Sequence, residues 1–230
     1  MAEAAAKRVP GRGRFISFEG GEGAGKSTQI KRLADKLAAA KVPTLVTREP
    51  GGSPGAEIIR HLLLSGMGKL LGPDAETLLF AAARDDHVRT VIEPALSRGI
   101  WVLCDRFSDS TLVYQGILGK VPPALLSAMQ RVTIGDLKPD LTIILDVAVE
   151  IGLQRAAARR GKDAADRFEA EGVKFHQELR EAYRRIAAAE PERCLLIDAS
   201  GEPDVVAANI WAALCERLLV GSAGNVASPA

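Results

Sequence analysis

The chain has 230 residues, 47% of them hydrophobic and 26% charged, with a formal net charge of +1. That composition supports a sizeable buried core, and the near-neutral balance excludes a global field that would draw the protein onto nucleic acid or a membrane surface. The apolar runs are strand-sized, short of the ~20 residues a membrane helix needs, and the basic stretch Met1 to Arg14 lacks the apolar run of a secretory leader.

Phe15 to Glu19 is a short apolar run stopped by Gly20 and Gly21, and predicts a strand. Lys26 to Ala40 places Ile30, Leu33, Ala34 and Leu37 on one helical face, and Thr44 to Thr47 reads as the next strand. Pro54 opens a helix with Ile58, Ile59, Leu62 and Leu63 as its stripe. Asp74 starts a long helical pattern to Ser97, which Pro94 should kink or split. Ile100 to Cys104 is a strand ending in Asp105, and Pro122 and Pro123 open a helix to about Ile134. Leu141 to Leu145 is a continuous apolar run of the kind found in parallel strands buried on both faces. Helices over Val149 to Arg160 and Glu169 to Ala189 follow, then a strand over Cys194 to Ile197 and a helix over Pro203 to Leu219.

Strands alternating with helices predict an α/β fold, a parallel sheet covered on both faces. The expected organisation is an N-terminal arm over 1–14, one domain over 15–219 and a flexible tail over 220–230. Cys104, Cys194 and Cys215 form no CxxC pair and lie in apolar runs, which suits buried free thiols in the reducing cytoplasm. His61, His87 and His176 are scattered and give no HExxH zinc pattern.

Gly20-Gly21-Glu22-Gly23-Ala24-Gly25-Lys26-Ser27 matches G-x-x-x-x-G-K-[ST], between a predicted strand and a predicted helix. Glycines in such a loop let successive backbone N–H groups cradle phosphate oxygens, and the helix that follows adds its N-terminal dipole. Lys26 supplies a point charge for the β- and γ-phosphates, and the Ser27 hydroxyl is a ligand for Mg²⁺. The expected ATP site is therefore Gly20 to Thr28. Asp105 ends a buried strand at the sheet edge where open α/β folds bind ligands. It can hold Mg²⁺ directly or through water, with Asp146 at the same edge as its competitor. Arg155, Arg159, Arg160 and Arg167, around a bend at Gly161, form a basic run. Such a run is either a solvated face or a lid that closes cations over phosphates.

These motifs resemble the thymidylate kinase family. The resemblance is carried by Glu22-Gly23-Ala24-Gly25-Lys26, then Thr47 to Gly52 (TREPGG), Leu79 to Arg84 (LFAAAR), Asp105-Arg106-Phe107, Ser110 to Gly116 (STLVYQG), Lys138 to Leu141 (KPDL), Asp166 to Glu169 (DRFE) and Ile197 to Ser200 (IDAS). It implies a P-loop nucleoside monophosphate kinase fold, with five parallel strands in spatial order 2-3-1-4-5, and a homodimer. It also implies roles: Phe80 stacks on thymine, Arg84 donates to its O4, and Ser110 and Thr111 line the base edge. Arg106 grips the acceptor phosphate, Glu22 faces the sugar 3′-hydroxyl and Tyr114 crowds the 2′ position. Glu49 and Pro50 line the acceptor cleft, and Asp198, Ala199 and Ser200 border the adenine. One branch of the family carries an arginine inside the P-loop. Gly23 stands there in this chain, so the resemblance is to the bacterial branch with lid arginines. Arg159 or its neighbour Arg160 then supplies the missing cation. Phe107 stands where the family often has tyrosine or histidine, so a polar contact from that side chain is absent.

The implied reaction is transfer of the γ-phosphoryl group from MgATP to dTMP, with Lys26, Arg106 and Arg159 as the catalytic cations. Two alternatives share the P-loop: a kinase for another nucleotide or nucleoside, and a nucleotide-hydrolysing switch protein. Asn209 and Asn225 are the only asparagines, and neither begins the Asn-Lys-x-Asp of guanine-binding switches.

Overall fold

The structure, a computed structural model, describes residues 11–160 and 168–219. The predicted arm and tail therefore lie largely outside the described residues, as do Gly161 and Arg167. Where the arm is described it is tied down: the Gly13 N–H donates to the Leu96 carbonyl at 2.8 Å, and Arg14 pairs with Asp140 at 2.8 Å.

The strands are β1 (Phe15–Gly20), β2 (Thr44–Arg48), β3 (Trp101–Asp105), β4 (Leu141–Asp146) and β5 (Cys194–Asp198). They form one parallel sheet in the order β2-β3-β1-β4-β5, the order expected for the P-loop kinase fold. The helices are α1 (Lys26–Ala39), α2 (Pro54–Leu64), α3 (Pro73–His87), α4 (Glu93–Ser97), α5 (Ser108–Thr111), α6 (Pro123–Thr133), α7 (Val149–Arg160), α8 (Val173–Ala189) and α9 (Pro203–Leu214). None among the described residues is long and apolar enough to cross a membrane.

Burial follows strand position. Central β1 is buried throughout and β4 almost so, whereas β2 and β5, at the two edges, are partly exposed. Alternation along β1 sends Ile16 and Phe18 into a core with Ile30, Leu33 and Leu37 of α1 and Val206, Ile210 and Leu214 of α9. Phe15 faces the opposite layer, with Val88, Ile92 and Leu96. Ser17 and Glu19 share that second face, so the strand is not purely apolar. The Ser17 hydroxyl meets the Thr142 hydroxyl at 2.8 Å, beside the buried Asp109 and its half-buried partner Arg193.

Several boundaries differ from the sequence expectation for local reasons. The long pattern after Asp74 opens one residue earlier, at Pro73, and breaks at a π-type turn over Val88–Ile92 before α4. Pro94 has no N–H to continue the ladder, and the wider turn absorbs that loss. Helix α8 starts at Val173, not at Glu169, with Gly172 at its N-cap. The last helix gives way to a π-type turn over Cys215–Leu219. Cys104 and Cys194 are buried free thiols, but Cys215 is half exposed.

Candidate active site

The C-terminal ends of β1, β2 and β3 open into a cavity of about 350 Å³. Its walls include the P-loop from Glu22 to Thr28, Glu49 and Pro50 after β2, Phe80 and Arg84 of α3, and Asp105, Arg106, Ser110, Thr111 and Tyr114 around α5. Arg159 at the end of α7 reaches it as well. The sequence motifs scattered over the chain thus meet in one place.

The P-loop turns between β1 and α1, and Gly25 caps α1 in a left-handed conformation, φ 92°. No side chain caps that helix, which leaves its first N–H groups for a ligand. The Lys26 ammonium donates to the Gly20 and Gly21 carbonyls at 3.0 Å each. Burial, followed by the nearby Arg106 charge, lowers its pKa. Ser27 Oγ donates to Asp105 Oδ2 at 3.0 Å. Asp146 is instead held by Arg180 and Arg184, which outweigh its burial and keep it below the usual carboxylate range.

Gly23, φ 66°, lies where α7 crosses the loop. A Cβ there would stand 1.9 Å from the Gly152 carbonyl oxygen, and one on Gly152 would stand 2.6 Å from the Glu22 carbonyl oxygen. The two backbones touch because both residues are glycine.

Arg106 also has a left-handed backbone, φ 73°. Its Nη2 donates to Glu22 Oε1 at 2.7 Å, and its guanidinium lies over the Tyr114 ring at 5.1 Å. Tyr114 Oη reaches Glu22 Oε1 at 3.5 Å, and the tyrosine ring meets Phe168 edge-on. Burial alone would raise Glu22, but Arg106, Lys26 and Arg159 together hold it below the ordinary value.

Arg84 is buried, with three bonds from its fork: Nε to Glu49 Oε2 at 2.7 Å, Nη1 to Thr111 Oγ1 at 2.8 Å, and Nη2 to the Phe107 carbonyl at 3.1 Å. Glu49 is completed by His87, whose other nitrogen meets Thr47 at 2.6 Å. Phe107 is a core residue, packed edge-on against Phe15 and beneath the Arg84 fork. Ser110 lines the cavity, but its hydroxyl serves Glu19, Tyr183 and Arg106 and not the Arg84 side.

Of the basic run, Arg155 donates to the Ala199 and Ser200 carbonyls at 2.9 Å each, so it clamps that loop. Asp198, Ala199 and Ser200 do not line the main cavity; Asp198 accepts from the N–H and hydroxyl of Ser200. Arg159 and Arg160 both pair with Glu169, at 2.7 and 2.8 Å, but only Arg159 reaches the cavity. Sequence reasoning assigned no role to Arg48, Arg60, Gln115 or Phe168, which also line it. Arg48, Gln115 and Phe168 sit inside quoted motifs and could have been taken from them; Arg60 carried no signal beyond its charge.

A thymidylate kinase family model matches residues 18–210. The chain is 75% identical over 219 residues to the thymidylate kinase of Bradyrhizobium diazoefficiens, covering 95% of this chain and 96% of that one. It is 70% identical to that of Nitrobacter winogradskyi over the whole of both chains, and 70% identical to that of Nitrobacter hamburgensis over 98% of each.

Proposed function

Because the chain belongs to the thymidylate kinase family, we propose that it transfers the γ-phosphoryl group of ATP to dTMP, giving ADP and dTDP. The observation that carries this reading is a single cavity that holds both the P-loop lysine and the Phe80–Arg84 pair. An aromatic face and a planar cationic fork, one helical turn apart, suit a stacked base with one polar edge contact. Thymine offers O4 to the fork, where cytosine would present an amino group. Glu22 and Tyr114 stand together as the pair for the sugar hydroxyl edge, and Arg106 beside them meets the acceptor phosphate.

Chemistry here is positioning and charge neutralisation. The acceptor phosphate is already ionised, so no strong base is needed. The P-loop amides and Lys26 bind the β- and γ-phosphates, with Thr28 beside them in the first turn of α1. Ser27 Oγ and Asp105 Oδ2 are two hard oxygens 3.0 Å apart, a donor set that fits Mg²⁺ completed by phosphate and water. Bound there, Mg²⁺ would neutralise charge on the β- and γ-oxygens. Arg159 joins from α7 as the lid cation, as the branch with no P-loop arginine requires; Gly23, where that arginine would stand, supports this reading. The loop Asp198–Ser200 borders the adenine, held by Arg155.

The working form is a cytoplasmic homodimer. Ile58, Leu70, Leu71, Leu78 and Val132 are more than half exposed. They lie on α2, the Met67–Leu71 turn, α3 and α6, which pack on one another, and a second copy would cover them.

The test is coupled ADP release with dTMP, dUMP, dCMP, dGMP and dAMP as acceptors. The reading expects dTMP to be used best and purine acceptors hardly at all; equal use of dCMP would make this a kinase for another nucleotide. Arg84 itself offers a sharper version. Its loss would leave the buried Glu49 without its arginine and with only His87 beside it, a costly change, so Arg84→Lys is the better probe. Lysine keeps a cation beside Glu49 but lacks the planar fork. The preference for dTMP over dCMP should narrow about tenfold or more, with KM for ATP near its original value. An unchanged preference would place base recognition elsewhere.

A further inference from the structure

Glu19, near the end of β1, is fully buried and has no part in the transfer described above. Three donors nevertheless converge on its carboxylate. Oε1 accepts from the Phe107 backbone N–H at 2.8 Å, and Oε2 accepts from the Ser110 hydroxyl at 2.7 Å and the Tyr183 hydroxyl at 2.8 Å. Each hydroxyl has one hydrogen and spends it on Glu19. Their lone pairs are left to face Arg106 Nη1, which lies 3.4 Å from Ser110 Oγ and 3.3 Å from Tyr183 Oη. The other end of that guanidinium is held by Glu22 at 2.7 Å. The backbone is anchored in the same way. Arg106 sits at φ 73°, unfavourable for a side-chain-bearing residue, and the N–H that follows it is the one Glu19 binds.

We propose that Glu19 is the positioning residue for Arg106, aiming its guanidinium at the acceptor phosphate through the Ser110 and Tyr183 hydroxyls and the Phe107 N–H. The inference rests on the reading of Arg106 as the ligand of that phosphate.

A carboxylate is a costly choice for this position if only packing matters. Burial, then the neighbouring Asp109, pushes Glu19 up to about 7, against the opposing Arg106 charge and the bonds from Ser110 and Phe107. Lys26 also faces it from α1, Cys104 from β3 and Cys194 from β5. The phenols of Tyr114 and Tyr183 complete its surroundings.

The two consequences of this titration have opposite signs. Proton uptake by Glu19 would remove the negative charge that faces Arg106 and make Oε2 a donor. One hydroxyl must then accept from it and turn its own hydrogen towards Arg106 or towards the other hydroxyl, 3.0 Å away, and either way a lone pair that faced Arg106 is spent. Use of the acceptor should therefore fall as pH drops through about 7. Stability runs the other way: the folded value lies above the ordinary 4.5, so the folded state holds the extra proton between the two values and loses stability as pH rises across them. The charge at this position serves Arg106 at the expense of the fold.

Glu19→Gln mimics the protonated group and tests both signs at once. In steady-state assays across pH it should raise KM for dTMP about tenfold or more and leave KM for ATP unchanged. Its acid limb near 7 should disappear, leaving the limb at about 6 where the acceptor's own phosphate titrates. Its melting temperature at alkaline pH should exceed that of the parent. Tyr183→Phe keeps the ring, removes one relaying hydroxyl, and should raise KM for dTMP in the same direction; it decides the matter if Glu19→Gln does not fold. An unchanged KM and pH profile in these variants, while Arg106→Ala still raises KM for dTMP, would overturn the inference alone. If Arg106→Ala leaves KM for dTMP unaltered, the reading of Arg106 fails, and the inference with it.

Discussion

Lys26→Ala should reduce kcat by about a thousandfold in a protein that still folds. The ammonium is buried and bound to two neutral carbonyls, Gly20 and Gly21. Phosphate oxygens offer anionic acceptors in their place, and charge-assisted bonds are about twice as strong as neutral ones. Because the γ-oxygens carry charge throughout transfer, the lysine acts on binding and on the transition state together, so KM for ATP should rise as well. The fold loses little, because alanine leaves two carbonyls beside a cavity open to water, a cost of about 1 kcal/mol each. Coupled ADP release and a thermal melt check the two halves. A folded variant with near-normal turnover would remove the P-loop from the mechanism.

Arg159→Ala should lower kcat about a hundredfold or more, with a much smaller change in KM for either substrate. Its present partner is no obstacle. The arginine side chain is 64% exposed although Glu169 is nearly buried, and Arg160 holds the other Glu169 oxygen at 2.8 Å, so the carboxylate keeps a cation when Arg159 leaves it. It can therefore exchange Glu169 for the transferring phosphoryl group when α7 closes in. A contact made only at that stage appears in kcat rather than in KM. Arg160 is 26% exposed, pairs with the other oxygen of Glu169 and does not line the cavity, so Arg160→Ala should be milder. The crossing of Gly23 and Gly152 explains why the cation is placed on α7. Gly23→Arg would drive its Cβ into the Gly152 carbonyl, so adding it to Arg159→Ala should not restore turnover. Single-turnover rates of the single and double variants test this. Full activity in Arg159→Ala would leave neutralisation to Lys26, Arg106 and the metal.

Much of this architecture was legible in the chain because its signals are local. Short apolar runs gave each strand within a residue at either end, and the β4 run is as buried as a continuous apolar stretch implies. The sheet order came from resemblance, since no periodicity encodes which strand lies beside which. The motif residues Lys26, Ser27, Glu49, Phe80, Arg84, Asp105 and Arg106 do converge on one cavity. What was not legible depends on packing across the sheet. Glu19 looked like the end of a strand, and its partners Ser110 and Tyr183 lie 91 and 164 residues away. Arg155 looked like a lid charge, yet the carbonyls of a loop 44 residues on claim it. Gly23 read as a missing arginine, whereas the space itself excludes a side chain.

The most direct measurement follows the phosphoryl group itself. ATP labelled at the γ-phosphorus is incubated with the protein, Mg²⁺ and dTMP, and the products are separated. The account predicts label in the β-position of dTDP, one for each ADP formed, with almost no free labelled phosphate and almost no ADP when dTMP is withheld. Labelled inorganic phosphate released at the same rate with or without dTMP would contradict it, and would make the cavity a site of hydrolysis instead of transfer.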